Sequence, residues 1–216
     1  MNPFVLFEDN HLLVVNKPVN FLTQPANGQD NLEDFFKGFL KTKYNKSGNV
    51  FLHAIHRLDR PVSGVVVLAK TSKSLARLQK SIREKKTKKK YYALINGVFE
   101  NKTATLKNKL IHGDYKAYES KEGKEAILHY KVIKECGQIS LIEVDLDTGR
   151  YHQIRCQFAL AGYPLLGDSL YGSTKRFIEN GIALHHFSFS IPHPISSNIE
   201  TYLAPLPDYW NSFLSK

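Results

Sequence analysis

The run Gly64–Lys70, GVVVLAK, limits the possible folds more than any other part of this 216-residue sequence. It is apolar at every position from Val65 to Ala69, and it is rich in β-branched valine. A short apolar run without polar alternation is typical of a strand that is buried on both faces. We therefore expect this strand to lie inside a sheet against which helices pack.

Patterns elsewhere predict six more strands and three helices. The helices lie in segments 31–44, 72–86 and 150–162; the first two follow N-cap candidates, Asp30 or Asn31 and Thr71 or Ser72. The strands lie in segments 5–18, 91–99, 124–146 and 182–194, and the first and third segments each hold two strands joined by a short turn. We predict one α+β domain over residues 1–216, with a mixed, mostly antiparallel central sheet flanked by helices.

The charge of the chain indicates its class of partner. The formal net charge is +10 and the pI is near 9.5, which favours nucleic acid or an anionic membrane surface. No apolar run approaches the roughly 20 residues that span a bilayer, and the N-terminus lacks a signal-peptide pattern. Cys136 and Cys156 are too few for a disulfide framework. We therefore expect a cytoplasmic protein that binds RNA or DNA.

Segment Lys80–Lys90 concentrates this charge, with seven Lys or Arg against one Glu. One interpretation is a solvated helix end, where cations are favourable. The other is a track that binds phosphates and releases counterions, next to the aromatic pair Tyr91-Tyr92. The overall charge favours the second interpretation. The lysines predicted to contact RNA are Lys85, Lys86, Lys88 and Lys89.

Segment His56–Gly64, HRLDRPVSG, places Asp59 between Arg57 and Arg60, just before the buried strand. Nearby cations favour an ionised carboxylate, which suits a nucleophile or a base. The same arrangement also suits a structural salt bridge. The residues alone leave both interpretations open.

A metal site is a third interpretation, because His53, His56 and Asp59 are spaced by three residues. On a helix they would share a face, but Pro61 argues against a helix long enough to present them. No cysteine pair or third histidine with zinc-ligand spacing accompanies them. The sequence also lacks a G-x-S-x-G elbow and a G-x-x-x-x-G-K phosphate loop, so serine hydrolase and nucleotide hydrolase activities have no support.

Five segments extend over nearly the whole chain: LLVVNKP, HRLDRPVSGVVVLAK, KKYYALINGVF, DTGRYHQIRCQFALAGYPLLGDSLYG, and a closing group of LHHFSF, HP and APLPDYW. These segments, in the same order, resemble those of the RluA-type RNA pseudouridine synthases.

The resemblance implies an enzyme that detaches the base of a uridine at N1, turns it and rejoins it to the ribose through C5. It assigns Asp59 as the essential catalytic carboxylate, Arg155 as the basic residue that pairs with it, and Tyr91 as the ring that stacks on the target base. It further implies that Arg57 helps to extrude the base and that Leu184 lines the pocket. No metal or redox cofactor is implied, because the reaction involves no net oxidation and no hydrolysis.

Two positions depart from the family pattern. Val62 replaces the usual Thr before Ser-Gly, and Gln157 stands where many members have a His. The chain also lacks room for the small N-terminal RNA-binding domain of many relatives. We therefore expect the catalytic domain itself to bind ribosomal or transfer RNA, as a monomer without an obligate protein partner. The alternative is a non-catalytic RNA-binding protein that retains the fold.

Overall fold

The computed structural model describes residues 3–26 and 28–215. This part of the chain forms eleven strands and four helices. The strands are β1 (Phe4–Glu8), β2 (Leu12–Lys17), β3 (His53–Ala54), β4 (Ser63–Ala69), β5 (Lys88–Asn96), β6 (Thr103–His112), β7 (Ala117–Glu119), β8 (Lys124–Cys136), β9 (Ile139–Leu146), β10 (Leu184–Pro192) and β11 (Ile199–Leu203). The helices are α1 (Leu32–Lys43), α2 (Ser72–Arg83), α3 (Gln153–Leu160) and α4 (Asn211–Leu214).

The chain divides into two compact units. The first contains the residues up to Lys88 and His186–Pro205, and its strand order is β1-β2-β4-β10, with β3 beside β4 and β11 beside β10. The second contains Lys89–His185 and the residues from Leu206 onward, in the strand order β5-β9-β8-β6-β7. The strands pair mostly antiparallel. The α+β class and the mostly antiparallel sheet are confirmed, while a single domain over residues 1–216 stays a prediction.

Strand β4 is the buried strand that its sequence predicts. All seven of its residues are buried, and Val66 and Leu68 on one face are as inaccessible as Val65 and Val67 on the other. Val65 and Val67 belong to the same core cluster as Leu78 of α2. Because each fully buried Val or Leu contributes roughly 1.5–3 kcal/mol, this strand is a firm base for the loop that precedes it.

Helices α1 and α2 begin where the sequence predicts. The Asn31 side chain accepts the Asp34 N–H at 2.9 Å, and the Thr71 hydroxyl oxygen accepts the Ser74 N–H at 3.1 Å. Each bond satisfies one of the amide donors that a helix start leaves without a partner. Among the described residues, no helix has the length and apolar character needed to cross a bilayer.

Strands β3, β6, β7 and β11 were not predicted from the sequence. The longest of them, β6, is TATLKNKLIH, and only Leu110 in it is fully buried. Its apolar alternation is weak because Asn108 occupies a half-buried position between Leu106 and Leu110. Strand β6 is held in the sheet by pairing with β8 at eight residues. Pairing between distant segments cannot be recognised from the residues of one segment.

Candidate active site

Asp59 lies half-buried in the loop between β3 and β4, and hydrogen bonds hold this loop on both sides of it. The N–H of Leu58 donates to Oγ1 of Thr23 at 3.1 Å, and the Thr23 hydroxyl donates to the Leu58 carbonyl at 3.0 Å. The Asp59 carbonyl accepts the Val62 N–H at 3.0 Å, which closes a turn. A side chain on so constrained a backbone is preorganised, as a group that meets a reacting atom must be.

Lys17 holds the other side of the loop. It ends β2 with 0% of its surface exposed, and its Nζ donates to the carbonyl oxygens of Pro18 at 3.0 Å, Phe21 at 2.7 Å and Arg60 at 3.2 Å. Burial lowers the pKa of Lys17 to about 7, while the charge of Asp59 opposes that shift. The ammonium therefore fixes the residue that follows Asp59 and interacts electrostatically with its carboxylate.

We expect Lys17→Met to lower the free energy of unfolding by about 2 kcal/mol at pH 7, because three carbonyl oxygens lose the donor that lies between them. The unfolded lysine has a pKa of about 10.4, so between pH 7 and 10 the unfolded state binds a proton that the folded state has released. The contribution of Lys17 to the free energy of unfolding therefore rises with pH. The margin, meaning the difference in this free energy between wild type and Lys17→Met, widens by at most about 1.4 kcal/mol per pH unit.

Urea unfolding at pH 7 and pH 9 measures this margin. The control is Lys41→Met, which removes an exposed ammonium from α1 and should change stability little at either pH. A margin that stays constant from pH 7 to 9 would mean that Lys17 keeps an ordinary pKa.

Gly64, the second residue of β4, has a conformation that only glycine adopts easily, with φ at +123°. A Cβ at this position would lie 2.3 Å from the carbonyl oxygen of His186 on β10. The backbones of the two strands thus approach too closely for any side chain. Val62, one of the two departures noted in the sequence, is 2% exposed and packs as a core residue.

The histidines near Asp59 have structural partners. His53 Nδ1 lies 3.2 Å from the carboxylate of Glu33, and His56 Nε2 accepts the Val67 N–H at 3.2 Å. The His56 ring also meets the His186 ring edge-on. In the part of the chain that the structure describes, no group of three or more His, Cys, Asp or Glu residues is arranged to hold a metal ion.

Arg155 lies in the second unit, on α3, and is 5% exposed. It forms a bidentate ion pair with Asp168, with Nε to Oδ2 at 2.7 Å and Nη2 to Oδ1 at 2.8 Å. Asp168 is 1% exposed, so both charges are buried and compensated. The structure thus gives Arg155 a carboxylate partner that the sequence did not predict, and its pairing with Asp59 stays a prediction.

Two more side chains fix the Arg155 guanidinium. Nη1 lies 2.9 Å from Nε2 of His152, and because an arginine only donates, Nε2 is the acceptor. The His152 proton then sits on Nδ1 and donates to the Tyr171 hydroxyl oxygen at 3.2 Å, which also accepts the Ala117 N–H at 2.7 Å. Burial raises the pKa of Tyr171, so its hydroxyl stays neutral in this network.

The network holds His152 in a backbone conformation that is uncommon for a residue other than glycine, with φ at +50°. Such conformations cluster at functional sites, where surrounding contacts keep them in place. The contacts to Arg155 and Tyr171 do so here. The guanidinium is therefore a rigid cationic group.

Five residues of these arrangements were missing from the sequence-based assignment: Lys17, Thr23, His152, Asp168 and Tyr171. A signal existed for three of them. Lys17 ends an apolar strand just before a proline, where a charged residue is unexpected. Asp168 and Tyr171 are three residues apart in a segment that forms a 3₁₀ turn, and that spacing places both on one side.

Tyr91 and Leu184 are both buried, at 7% and 4% exposure. Tyr91 lies on β5 opposite Val144 of β9, and Leu184 is the first residue of β10. Tyr92 follows on the opposite face of its strand and packs against a core cluster of the second unit. Stacking by Tyr91 and pocket lining by Leu184 stay predictions.

The cations predicted to contact RNA differ in exposure. Lys85, Lys86 and Lys88 are exposed, as is Arg57. Lys89 is half-buried, burial lowers its pKa, and its Nζ lies 3.7 Å from the position of a Cβ at Gly149. Lys89 therefore faces the DTGR segment of its own unit. Lys85 and Lys88 present their charge to solvent, and the exposed Lys86 pairs with Glu84 at 2.8 Å.

Gln157, the second departure, has a structural role. It is 1% exposed, and its Nε2 lies 3.1 Å from the carbonyl oxygens of Leu106 and Ala126 and 2.9 Å from Oδ1 of Asn108. The side chain thus ties α3 to β6 and β8. The departure supports the position of the helix that carries Arg155.

Comparisons with known proteins agree with one another. A family model described as RNA pseudouridylate synthase matches residues 11–160. The ribosomal large subunit pseudouridine synthase C of Buchnera aphidicola subsp. Schizaphis graminum is 34% identical to this chain, over 98% of the chain and 69% of the relative. The uncharacterized RNA pseudouridine synthase YhcT of Bacillus subtilis is 33% identical, over 94% and 68%. The solved structure of human RNA pseudouridylate synthase domain containing 4 has a TM-score of 0.83 at 22% identity, covers 98% of this chain and 91% of that chain, and so shares the fold.

Proposed function

This chain belongs to the RNA pseudouridylate synthase family, and we propose that it isomerises specific uridines of structured RNA, with Asp59 as the essential carboxylate. The observation that carries the assignment of Asp59 is the support of its loop. Thr23 holds Leu58 by both backbone groups, and Lys17 holds the carbonyl of Arg60. With the Val62 N–H that bonds to the Asp59 carbonyl, four hydrogen bonds hold the backbone around this half-buried carboxylate, and a surface salt bridge requires no such support.

The reaction defines what Asp59 must do. The N1–C1′ bond of the nucleotide breaks, a C5–C1′ bond forms, the C5 proton leaves to solvent and N1 gains a proton. An ionised carboxylate serves this reaction by attack on the ribose, by attack on the base or by removal of a ribose proton. All three require the target nucleotide to leave its stack, which costs a few kcal/mol.

The other predicted residues fit supporting roles. We propose that Tyr91 stacks on the target base, that Leu184 lines the pocket and that Arg57 helps to extrude the base. We further propose that Arg155 supplies the positive charge that pairs with Asp59. The rigid network around its guanidinium supports this role, because a fixed charge is oriented before the substrate arrives.

The names of the relatives suggest where to look for the substrate. Synthase C of Buchnera is named for the large ribosomal subunit, so ribosomal RNA is the first substrate to test and transfer RNA the second. The test is release of tritium from host RNA labelled at uridine C5, in the presence of EDTA. We expect one tritium per pseudouridine formed. No release from either RNA of its own host would contradict the proposed function and favour a non-catalytic RNA-binding protein.

We expect the exposed lysines after α2 to supply part of the RNA affinity. Changing Lys85, Lys86 and Lys88 together to Gln should reduce the slope of log affinity against log salt by about 2, since each lost phosphate contact removes roughly 0.7–0.9. Filter binding of ribosomal RNA from 50 to 300 mM salt measures the slope.

The matched control changes three exposed lysines of the second unit to Gln, namely Lys109, Lys121 and Lys124. It alters net charge equally, so it separates position from overall charge. Equal slopes for the two triple variants would assign the effect to net charge and not to the predicted contact.

A further inference from the structure

The first unit carries most of the net charge. Its residues include fifteen Lys and Arg against eight Asp and Glu. Between Phe35 and Leu58 the chain has five basic residues and no acidic residue. The basic excess thus extends to α1 and the segment after it, well before the lysine run at Lys80–Lys90.

Tyr44 lies at the centre of this region, directly after α1, and is 48% exposed. Three ammonium groups surround its ring: Nζ of Lys43 lies 5.2 Å from the ring centroid, Nζ of Lys70 5.5 Å and Nζ of Lys46 5.7 Å. These cations come from a helix end, a segment after it and the turn that follows β4. Their convergence is therefore a product of the fold.

Glu8 holds this cluster together. Its side chain is 8% exposed, and it accepts hydrogen bonds from the Tyr44 hydroxyl at 2.8 Å, Lys43 at 2.7 Å and Lys70 at 2.8 Å. Burial alone would raise the pKa of Glu8, but these three hydrogen bonds lower it to about 2. The ring and two of the ammonium groups are therefore held in place before any ligand arrives.

An exposed aromatic stripe continues from Tyr44 along α1. Phe39 is 39% exposed, and the Lys43 ammonium that lies over Tyr44 is also 5.7 Å from the Phe39 centroid. Phe35 is 41% exposed and lies one turn earlier on the same helix face. Exposed rings interleaved with lysines are the composition of surfaces that bind single-stranded nucleic acid.

We propose that Tyr44, with Lys43, Lys46 and Lys70 around it, is a stacking platform for an unpaired base of the RNA substrate. The carboxylate in the cluster is already engaged by three donors, so the surface offered to a ligand is aromatic and cationic. A cation–π contact at an exposed site is weak. An incoming base can therefore displace Lys46 from the ring, and its ammonium can turn to a phosphate. The inference rests on the proposed function only in naming RNA as the ligand.

The test compares Tyr44→Leu with Tyr44→Phe by fluorescence anisotropy. The probes are a labelled RNA hairpin with an eight-nucleotide loop and a fully paired duplex of equal length. We expect Tyr44→Leu to raise Kd for the hairpin about tenfold, the order expected for one stacked base, and to change Kd for the duplex less than twofold. Tyr44→Phe keeps the ring and should bind the hairpin within twofold of wild type.

The matched control is Tyr118→Leu, which removes a tyrosine of nearly equal exposure, 49%, from β7 in the second unit. Wild-type hairpin binding by Tyr44→Leu would overturn the proposal. So would a shift in its sedimentation coefficient with hairpin binding unchanged, which would identify the surface as a contact between two copies of the chain.

A second measurement covers the case in which Tyr44→Leu does not fold. Hairpin RNA with 4-thiouridine in its loop should cross-link wild-type protein at Tyr44 or Lys46 on irradiation, and cross-links confined to other peptides would contradict the platform. The proposed function is judged separately. If wild type releases no tritium but Tyr44→Leu weakens hairpin binding, the function fails and the platform stands.

Discussion

Asp59→Asn is expected to abolish tritium release from RNA labelled at uridine C5, with a fall in rate of at least about 10³-fold, the order seen when an enzyme loses a nucleophile or base. The amide has nearly the size of the carboxylate, so the loop held by Thr23 and Lys17 should keep its shape. It carries no charge, and so it neither attacks a carbon nor takes a proton at neutral pH.

Three measurements on the Asn variant isolate this effect. Its affinity for RNA and its melting temperature should stay close to those of wild type, while the single-turnover rate collapses. Asp114→Asn, which neutralises an exposed carboxylate of the second unit, should leave all three unchanged. Full activity of Asp59→Asn would refute the catalytic role of Asp59 but not membership of the family.

Asp168→Asn should have the largest effect on stability, lowering the free energy of unfolding by about 3–5 kcal/mol. Arg155 and Asp168 have side-chain exposures of 6% and 1%, so the substitution removes a buried negative charge that lies directly against a buried guanidinium. The Asn oxygen still accepts one of the two N–H groups of the bidentate pair, but the Asn amide group places a donor against the other.

Urea unfolding measures the loss, and the protein offers a matched control. His129 Nε2 lies 2.9 Å from Oδ2 of Asp147, and the two side chains are 48% and 53% exposed. Asp147→Asn should therefore cost less than about 1 kcal/mol. If the two variants lost equal stability, burial of the Arg155–Asp168 pair would not be the cause.

A double variant separates charge from packing at the same site. Arg155→Met with Asp168→Leu removes both charges and should recover part of the stability that Asp168→Asn loses, because apolar pairs often replace buried ion pairs without penalty. The same double variant should remain inactive in the tritium assay if Arg155 acts in catalysis as we propose. A recovery of activity along with stability would make the pair purely structural.

The parts of the fold that the sequence predicted are those with a strong local signal. The apolar run of β4, the helical spacing of α1 and α2 and the caps at Asn31 and Thr71 each lie within one short segment. Strand β6 lacks such a signal, because pairing with β8 determines it and not its own apolar pattern. The sequence therefore predicts an element when the residues of one short segment determine it, and fails when pairing with a distant segment does.

The same distinction between local and distant signals applies to the residues of the candidate site. Asp59, Tyr91 and Arg155 could be proposed because each lies in a contiguous motif. Thr23 could not, since it bonds to Leu58 across 35 positions of sequence, and Lys17 reaches the Arg60 carbonyl across 43. These support residues bear no motif of their own, and only the folded chain brings them to the loop.

Because Lys17 is buried, the rate at which its amine reacts with an added reagent depends on how often the structure around it opens. Reagents that acylate lysine need an unprotonated amine that they can touch, and a lysine with a pKa of about 7 is often unprotonated but fully enclosed. Exposed lysines are modified at once, whereas Lys17 must wait until its three carbonyl contacts separate. Mass spectrometry of the peptide that contains Lys17 gives its labelling rate. This rate reports how often the segment that carries Asp59 opens.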